Sequence, residues 1–260
     1  MKFQVIGSGS KGNCTYITDD NINILIDVGI SVKEINSRTG IDLTKIEAIF
    51  ITHEHIDHVR HIEAIARLSD AVIYANEKTF NKMILKYFKS LDGIKVKFIE
   101  PNKPFKLKDI KIMALNLQHD AENCYGYIFT NKTQTLGYCT DTGYIPVPYI
   151  DILRKVNSLI IESNHDVEML MESNRPWYLK NRILSVKGHM SNKICGELLN
   201  KLLEDCKLEK IILAHLSEEC NTEELAVDTV LENIDKASIP EIYVAKQWVA
   251  LPLLEVWYEH

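Results

Sequence analysis

The segment that most restricts the fold of this 260-residue chain is "THEHIDH", residues 52–58, which directly follows the apolar run "AIFI". A continuous apolar run predicts a strand that is buried on both faces of a sheet. His53, His55, Asp57 and His58 stand at its end, within six residues. Imidazole and carboxylate groups are ligands of Zn²⁺, which takes about four of them. A polar surface turn explains this density poorly, and we interpret the segment as part of a metal site.

Three further metal-capable residues each come after a predicted apolar strand. His119 follows "IMALNLQ", Asp141 follows the strand "TLGYC", and His215 follows "IILA". Any one of them alone is more often a structural residue than a ligand. Their repeated position at strand-to-loop junctions makes them a consistent set. Because a carboxylate can bridge two ions about 3.5–4 Å apart, the set predicts a dinuclear centre with a hydroxide between the ions.

Composition and patterning predict a single α/β domain spanning residues 1–260. Hydrophobic residues make up 46% of the chain and charged residues 25%, which suits one large core. Predicted strand pairs alternate with helices, and this order favours sheets covered by helical layers. No apolar run approaches the about 20 residues that a membrane span needs. The six cysteines form no CxxC pair, and with no export signal we expect a cytoplasmic protein with free thiols.

The charge is unevenly distributed. The formal net charge is −6, which argues against broad coating of nucleic acid, yet residues 78–111 hold ten lysines against three acidic residues. One interpretation is a solvated helix face followed by a lysine-rich hairpin. The other is a local surface that follows a phosphate backbone. The sequence leaves both open.

The metal-capable residues resemble those of the metallo-β-lactamase fold superfamily. "THEHIDH" matches its HxHxDH signature, and His119, Asp141 and His215 match its later ligand motifs in order and spacing. The resemblance implies a four-layer αββα sandwich with the metal site at one edge of the two sheets. It also implies one metal on His53, His55 and His119, a second on Asp57, His58 and His215, and a bridging Asp141.

Other segments resemble a narrower branch. "GSGSKGNCTYI", "TDTGY", "GHMSN" and "HLSEECN" look like the YycJ (WalJ) group of bacterial proteins, which is related to the ribonuclease Z and phosphodiesterase branch and is described as DNA exonuclease-like. Two positions depart from the pattern: His61 replaces a glycine, and Cys220 replaces an asparagine. The resemblance implies a phosphodiester substrate, namely single-stranded or end-accessible nucleic acid. Zn²⁺ and Mn²⁺ are the expected ions, with Fe²⁺ as a further candidate.

Two residues are expected to be catalytic. Asp57 belongs to the metal cage that activates water, and His189 in "GHMSN" matches the ribonuclease Z-type histidine, a candidate general acid for the leaving alkoxide. His189 also admits a simpler interpretation as a helix-entry residue, with Ser191 as the helix cap. The predicted substrate contacts are Ser191 and the polar loop residues Ser8, Ser10, Lys11 and Asn13, although that loop is equally explained as an ordinary turn.

Alternative functions remain at this stage. The same cage suits hydrolysis of small nucleotides or cyclic phosphodiesters, and also of thioesters or lactams as in glyoxalases. A binding protein with a decayed site is disfavoured because all seven expected ligands are present. Residues 165–181 predict a helix broken at "RPWY", with Trp177 and Tyr178 packed on the core; stacking on nucleobases, with Arg175 on phosphate, is the alternative. His165 is expected in a polar loop.

Overall fold

Two sheets lie face to face in the computed structural model of the protein, which describes residues 1–19, 21–88, 90–204, 208–235 and 239–257. Each sheet has seven strands within these ranges. In spatial order, the first sheet consists of β14 (Leu254–Glu255), β1 (Lys2–Gly7), β2 (Cys14–Asp19), β3 (Ile22–Ile26), β4 (Ala48–Phe50), β5 (Val72–Ala75) and β6 (Val96–Phe98). The second consists of β13 (Glu241–Val244), β12 (Lys210–Ala214), β11 (Ser158–Glu162), β10 (Thr135–Cys139), β9 (Cys124–Thr130), β8 (Ile110–Leu117) and β7 (Phe105–Leu107).

Helices connect the strands and cover the outer faces. They are α1 (Val32–Arg38), α2 (Ile56–Val59), α3 (Ile62–Ser69), α4 (Glu77–Tyr87), α5 (Ile150–Leu153), α6 (Val167–Glu172), α7 (Trp177–Leu184), α8 (Asn192–Leu202) and α9 (Glu223–Glu232), with 3₁₀ turns at Leu43–Lys45 and Val147–Tyr149. No helix within the described ranges is long and apolar enough to cross a membrane.

Alternation along the strands assigns each apolar side chain to a layer. Ile24 and Ile26 of β3 share a core with Ile212 of β12, between the two sheets. Leu25 points the other way and packs with residues of α1, α3 and α4. Leu199 of α8 belongs to a third core on the outer face of the second sheet. The order is therefore helix, sheet, sheet, helix, which confirms the predicted four-layer αββα sandwich.

The parallel strands end together at one edge. β3, β4 and β5 are parallel neighbours in the first sheet, and β10, β11 and β12 are parallel in the second. Asp27, Asp141 and His215 come just after three of these strands, with φ of 56°, 56° and 57°. This left-handed region is unfavourable for residues other than glycine and is typical of functional sites. The chain is thus bent sharply where the predicted ligands lie.

The predicted core packing of Trp177 and Tyr178 is wrong, whereas the predicted helix break is present between α6 and α7. Pro176 does not end a helix; it is the N-cap residue of α7, since proline is tolerated at a helix start. Trp177 and Tyr178 consequently lie on the first turn and are 61% and 74% exposed, not packed in the core. His165 lies in the polar loop between β11 and α6, as predicted, and is buried there with 1% exposure. The predicted β2–β3 hairpin is present, although Asp20 at its tip lies outside the described residues.

We expect Gly29→Ala to lower the free energy of unfolding, because a Cβ at Gly29 would lie 1.6 Å from the carbonyl oxygen of Asp57. Overpacking of this kind typically lowers the free energy of unfolding by about 1–3 kcal/mol. Urea unfolding should show a lower midpoint for this variant. Gly40→Ala is the matched control, because a Cβ there meets no atom within 4 Å. Equal midpoints for the two variants would contradict this prediction.

Candidate metal centre

The turn after β4 carries four of the predicted ligands. His53 and His55 follow the strand, and α2 begins at Ile56, so Asp57 and His58 lie on its first turn. His53 and His58 are fully buried. Nε2 of His53 lies 3.0 Å from Nδ1 of His55. The short connection between strand and helix therefore holds these side chains side by side.

His119 completes the set predicted for one metal. It comes after β8, and its ring centroid lies 5.0 Å from that of His53 and 5.1 Å from that of His55. One ligand atom from each of the three lies within 4.8 Å of the other two. Three imidazoles from two sheets thus face one point.

The second predicted set also converges. Ligand atoms of Asp57, His58 and His215 lie within 4.8 Å of one another. Asp141 lies between the two sets: its Oδ2 is 3.5 Å from Nε2 of His58. Its Oδ1 is 3.3 Å from Nε2 of His215 and 4.0 Å from Nε2 of His119. This is the position that a bridging carboxylate requires.

Two buried polar atoms at the centre are available to bind cations. Within the described part of the chain, Oδ2 of Asp141 and Nε2 of His215 are buried and make no hydrogen bond. Buried polar atoms are normally satisfied, since leaving them unpaired costs free energy. The donors that surround the centre are imidazole nitrogens and carboxylate oxygens, which suit divalent ions such as Zn²⁺. The residues present therefore fit the metal centre that the sequence predicts.

A buried carboxylate missed by the sequence analysis, Asp27, orients His58. Nδ1 of His58 donates to Oδ2 of Asp27 at 2.7 Å, and the N–H of Thr52 donates to Oδ1 at 2.9 Å. Nδ1 of His119 similarly lies 3.3 Å from the carbonyl oxygen of Gly188. These contacts on Nδ1 orient the two rings with Nε2 toward the cluster, where Nε2 of His119 also lies 3.1 Å from Oδ1 of Asp120. Asp27 directly follows the apolar strand "INILI", the same signal that identified the other ligands.

Glu162, at the end of β11, was also missed. Its Oε1 accepts a hydrogen bond from Nδ1 of His189 at 2.7 Å and lies 3.1 Å from Nδ1 of His215. Its Oε2 accepts from the N–H of Thr142 at 2.7 Å. A single fully buried carboxylate therefore orients both a predicted ligand and the predicted general acid. Its place at the end of the apolar run "SLII" was the available signal.

Burial and charge shift the pKa values within the cluster. Burial lowers the pKa of His53, and neighbouring His58 lowers it further. Burial also opposes protonation of His215, but Asp141 and Glu162 together outweigh it and raise the pKa of His215 to about 9. Burial disfavours the charged form of Asp57, yet His58 and His215 together outweigh this effect and hold the pKa of Asp57 below its usual range. Asp57 therefore stays ionised, which is the form that binds a cation.

Two residues of the predicted substrate loop contact the predicted ligands directly. Oγ of Ser8 accepts a hydrogen bond from the N–H of His215 at 2.9 Å. Nδ2 of Asn13 lies 3.0 Å from Nε2 of His58. Both residues are buried, so in this structure they contact the ligands rather than open solvent.

The other predicted substrate contacts divide into two kinds. Ser191 is buried and caps α8, since its side chain accepts from the N–H of Ile194. Ser10 and Lys11 are exposed, and Nζ of Lys11 lies 2.8 Å from a carboxylate oxygen of Glu218. Ser10 and Lys11 are therefore the members of the set that lie open to a substrate.

Comparison with known proteins identifies the family. Residues 22–216 match the family described as "Beta-lactamase superfamily domain". The chain belongs to the beta-lactamase superfamily. It is 34% identical over 265 residues to the exodeoxyribonuclease WalJ of Streptococcus pneumoniae serotype 2, across 98% of each chain. It is 36% identical over 247 residues to the exodeoxyribonuclease YycJ of Bacillus anthracis, across 89% of each chain.

A solved structure of this superfamily agrees with the fold. The metallo-beta-lactamase fold protein YhfI from Bacillus subtilis has a TM-score of 0.73 with this protein, at 18% identity, over 96% of this chain and 98% of that one. The predicted resemblance to the superfamily and to the YycJ/WalJ group is thus confirmed. The departure at Cys220 has a packing role in this member, because Cys220 is buried against Leu170 and Ile183.

We expect Asp27→Asn to weaken metal binding by about 10–100-fold, the usual effect of removing a carboxylate that orients a ligand histidine. The amide keeps the shape of the side chain but replaces one acceptor with a donor. Zn²⁺ affinity can be measured by competition with a chromogenic chelator. Asp42→Asn, at the exposed start of the 3₁₀ turn Leu43–Lys45, is the control. Wild-type affinity in the folded Asp27→Asn protein would show that Asp27 does not orient the site.

Proposed function

We propose that residues 1–260 form one hydrolase domain that uses two divalent ions, Zn²⁺ or Mn²⁺ with Fe²⁺ as a further candidate, to cleave DNA from single-stranded or accessible ends. The observation that carries this proposal is the convergence of the seven predicted ligands and the Glu162–His189 pair on one cleft. The relatives named exodeoxyribonuclease, which match nearly the whole chain, support DNA as the substrate.

Asp57 would hold a cation beside the attacking water molecule. Bound divalent ions would neutralise charge on the phosphoryl oxygens and lower the pKa of water. Asp57 remains ionised beside His58, and its side chain is 18% exposed. A carboxylate held ionised in this way is a weak base, so its part is to hold a cation rather than to take up a proton. This supports the predicted catalytic role of Asp57.

His189 is well placed to protonate the leaving group. Nδ1 donates to Glu162, so Nε2 is left for the substrate. The ring is stacked on that of His215 at 5.2 Å between centroids, and the side chain is 21% exposed. A carboxylate that fixes one nitrogen of histidine also fixes the direction of the other. These contacts favour the role of general acid for the departing alkoxide over that of a helix-entry residue.

The cleft beside His189 favours single strands. Its volume is about 140 Å³, and its lining includes Ser10, Asp120, Arg175, Arg182 and Ser217. Pockets that enclose drug-sized ligands measure about 300–1,000 Å³, so this one suits a phosphodiester group with part of its sugar. Exposed Trp177 and Tyr178 begin the helix that carries Arg182 and offer rings on which unpaired bases can stack.

Cysteine chemistry supports a cytoplasmic location. The five cysteines in the described ranges are free and buried. Free thiols are typical of reducing compartments, whereas secreted proteins generally pair them. We therefore propose that the enzyme acts in the cytoplasm.

We expect Asp57→Ala to abolish cleavage of end-labelled oligodeoxynucleotides and of bis-p-nitrophenyl phosphate while the protein stays folded. The residue belongs to the ligand group with His58 and His215, and its loss leaves that group incomplete. Circular dichroism checks the fold, and gel analysis of labelled products reports cleavage from ends. Asp42→Ala is the surface control. Wild-type turnover in Asp57→Ala, or a wild-type enzyme that hydrolyses S-lactoylglutathione but no phosphodiester, would refute the proposal.

We expect His189→Ala to slow oligonucleotide cleavage by about 10²–10⁴-fold, the usual contribution of a general acid. Loss of a p-nitrophenolate group, which needs little protonation, should slow much less. Glu162→Gln should show the same leaving-group dependence to a smaller degree, together with a loss common to both substrates, because Glu162 orients the predicted ligand His215 as well as His189. Comparing kcat for the two substrates measures the effect. Equal losses on both substrates would contradict a role in protonating the leaving group.

A further inference from the structure

We propose that the exposed face of α4 that carries Lys78, Lys82 and Lys86, here called the lysine face, holds the phosphate backbone of the DNA substrate outside the metal centre. The inference rests on the proposed nuclease function and names the surface that guides the substrate strand. Of the two sequence-based interpretations of residues 78–111, we therefore assign phosphate binding to α4 and the solvated surface to the rest of the segment.

The lysine face begins next to the metal centre. Nζ of Lys82 lies 3.7 Å from Oε1 of Glu54, and Glu54 stands between the predicted ligands His53 and His55. Oε1 of Glu54 also accepts a hydrogen bond at 3.0 Å from the N–H of Glu122, in the loop that follows His119. Lys82 is thus separated from the ligand turn by a single side chain. A strand that leaves the centre on this side meets Lys82 first.

Helical spacing puts the three ammonium groups in one row. Residues four apart lie on the same face of an α-helix and are about 6 Å apart along its axis. Lys78, Lys82 and Lys86 follow this spacing and are all exposed. An open groove of about 550 Å³ runs along them and is lined by the three lysines, Asn81, Leu85 and Glu122.

The three lysines differ in their acidic neighbours. Lys82 forms ion pairs with Glu122 and Glu54. In the ranges that the structure describes, neither Lys78 nor Lys86 forms an ion pair with a carboxylate. Glu77, at the start of α4, is the acidic neighbour on the helix itself. The outer lysines therefore keep their charge available, unlike those of an ordinary surface salt-bridge network.

The remaining lysines of the basic segment lie elsewhere. Lys95, Lys103 and Lys108 form ion pairs with Asp70, Glu100 and Glu47 respectively. Lys97, on β6, places its Nζ 5.8 Å from the ring centroid of Tyr74. Lys106 and Lys111 face each other across β7 and β8. Lys111 is eight residues before His119 along β8 and its following loop, which corresponds to about 26 Å of extended chain. These lysines fit the solvated-hairpin interpretation; Lys89 lies outside the described residues.

The test compares K78Q/K86Q with K106Q/K111Q, which removes the same charge from the distant hairpin. Lys82 is left intact because it contacts Glu54. For each protein, kcat/KM for an end-labelled single-stranded oligodeoxynucleotide is measured over a range of salt concentrations, with bis-p-nitrophenyl phosphate as a small substrate. Thermal unfolding confirms that both variants are folded.

We expect K78Q/K86Q to raise KM for the oligonucleotide roughly tenfold at low salt. Loss of two phosphate contacts should also make the slope of log(kcat/KM) against log salt shallower by about 1.4. Turnover of bis-p-nitrophenyl phosphate should match wild type, and K106Q/K111Q should match wild type on both substrates. A wild-type slope in K78Q/K86Q, or equal losses in both variants, would contradict phosphate binding by the lysine face. A wild-type enzyme inactive on every oligonucleotide would instead overturn the proposed nuclease function.

Discussion

The metal centre depends on the two sheets being held in register at their shared edge, because each sheet contributes only part of the ligand set. Hydrogen bonds join the sheets directly beside β4. The N–H of Tyr125 donates to the carbonyl oxygen of Thr52 at 2.9 Å, and the hydroxyl of Tyr127 donates to that of Ile51. Phe50 packs edge-on against Tyr127 beneath these bonds. A slip between the sheets would break these hydrogen bonds and would at the same time move His58 away from Asp141.

The same edge concentrates features that oppose folding. Asp27, Asp141 and Glu162 are buried carboxylates, and Asp27 and Asp141 also have left-handed backbone conformations. Histidines within hydrogen-bonding or ion-pair distance offset part of the burial cost, although buried ion pairs seldom stabilise a fold by themselves. A ligand that binds only the folded state stabilises it. Cations at this centre would therefore stabilise the fold as well as serve catalysis, and the strain is placed where the bound ions can compensate for it.

Strand-end position and the HxHxDH spacing predicted seven residues that the structure brings together at one edge, and the resemblance to the superfamily implied the layered fold. The same strand-end rule, applied to carboxylates as strictly as to histidines, would have found Asp27 and Glu162. Exposure of Trp177 could not be read from composition, because a proline that breaks one helix can equally begin the next. Which of the lysines lie near the metal centre depends on tertiary structure. The placement of β6, β7 and β8 decides it, and the sequence pattern alone does not give that placement.

The loop after His119 forms ion pairs with basic residues on both sides of the ligand cluster. Asp120 forms an ion pair with Arg182 of α7, whereas Glu122 lies 3.3 Å from Nζ of Lys82 on α4. The acidic residues of this short loop thus hold one basic side chain on each side of the ligand cluster. They keep both basic side chains away from the cations that the cluster would bind. With the proposed substrate, an incoming phosphate would compete with these carboxylates for Arg182 and Lys82. Because its binding would displace an ion pair on each side, a single anion would gain little, and a chain of phosphates that also reached Lys78 and Lys86 would gain most.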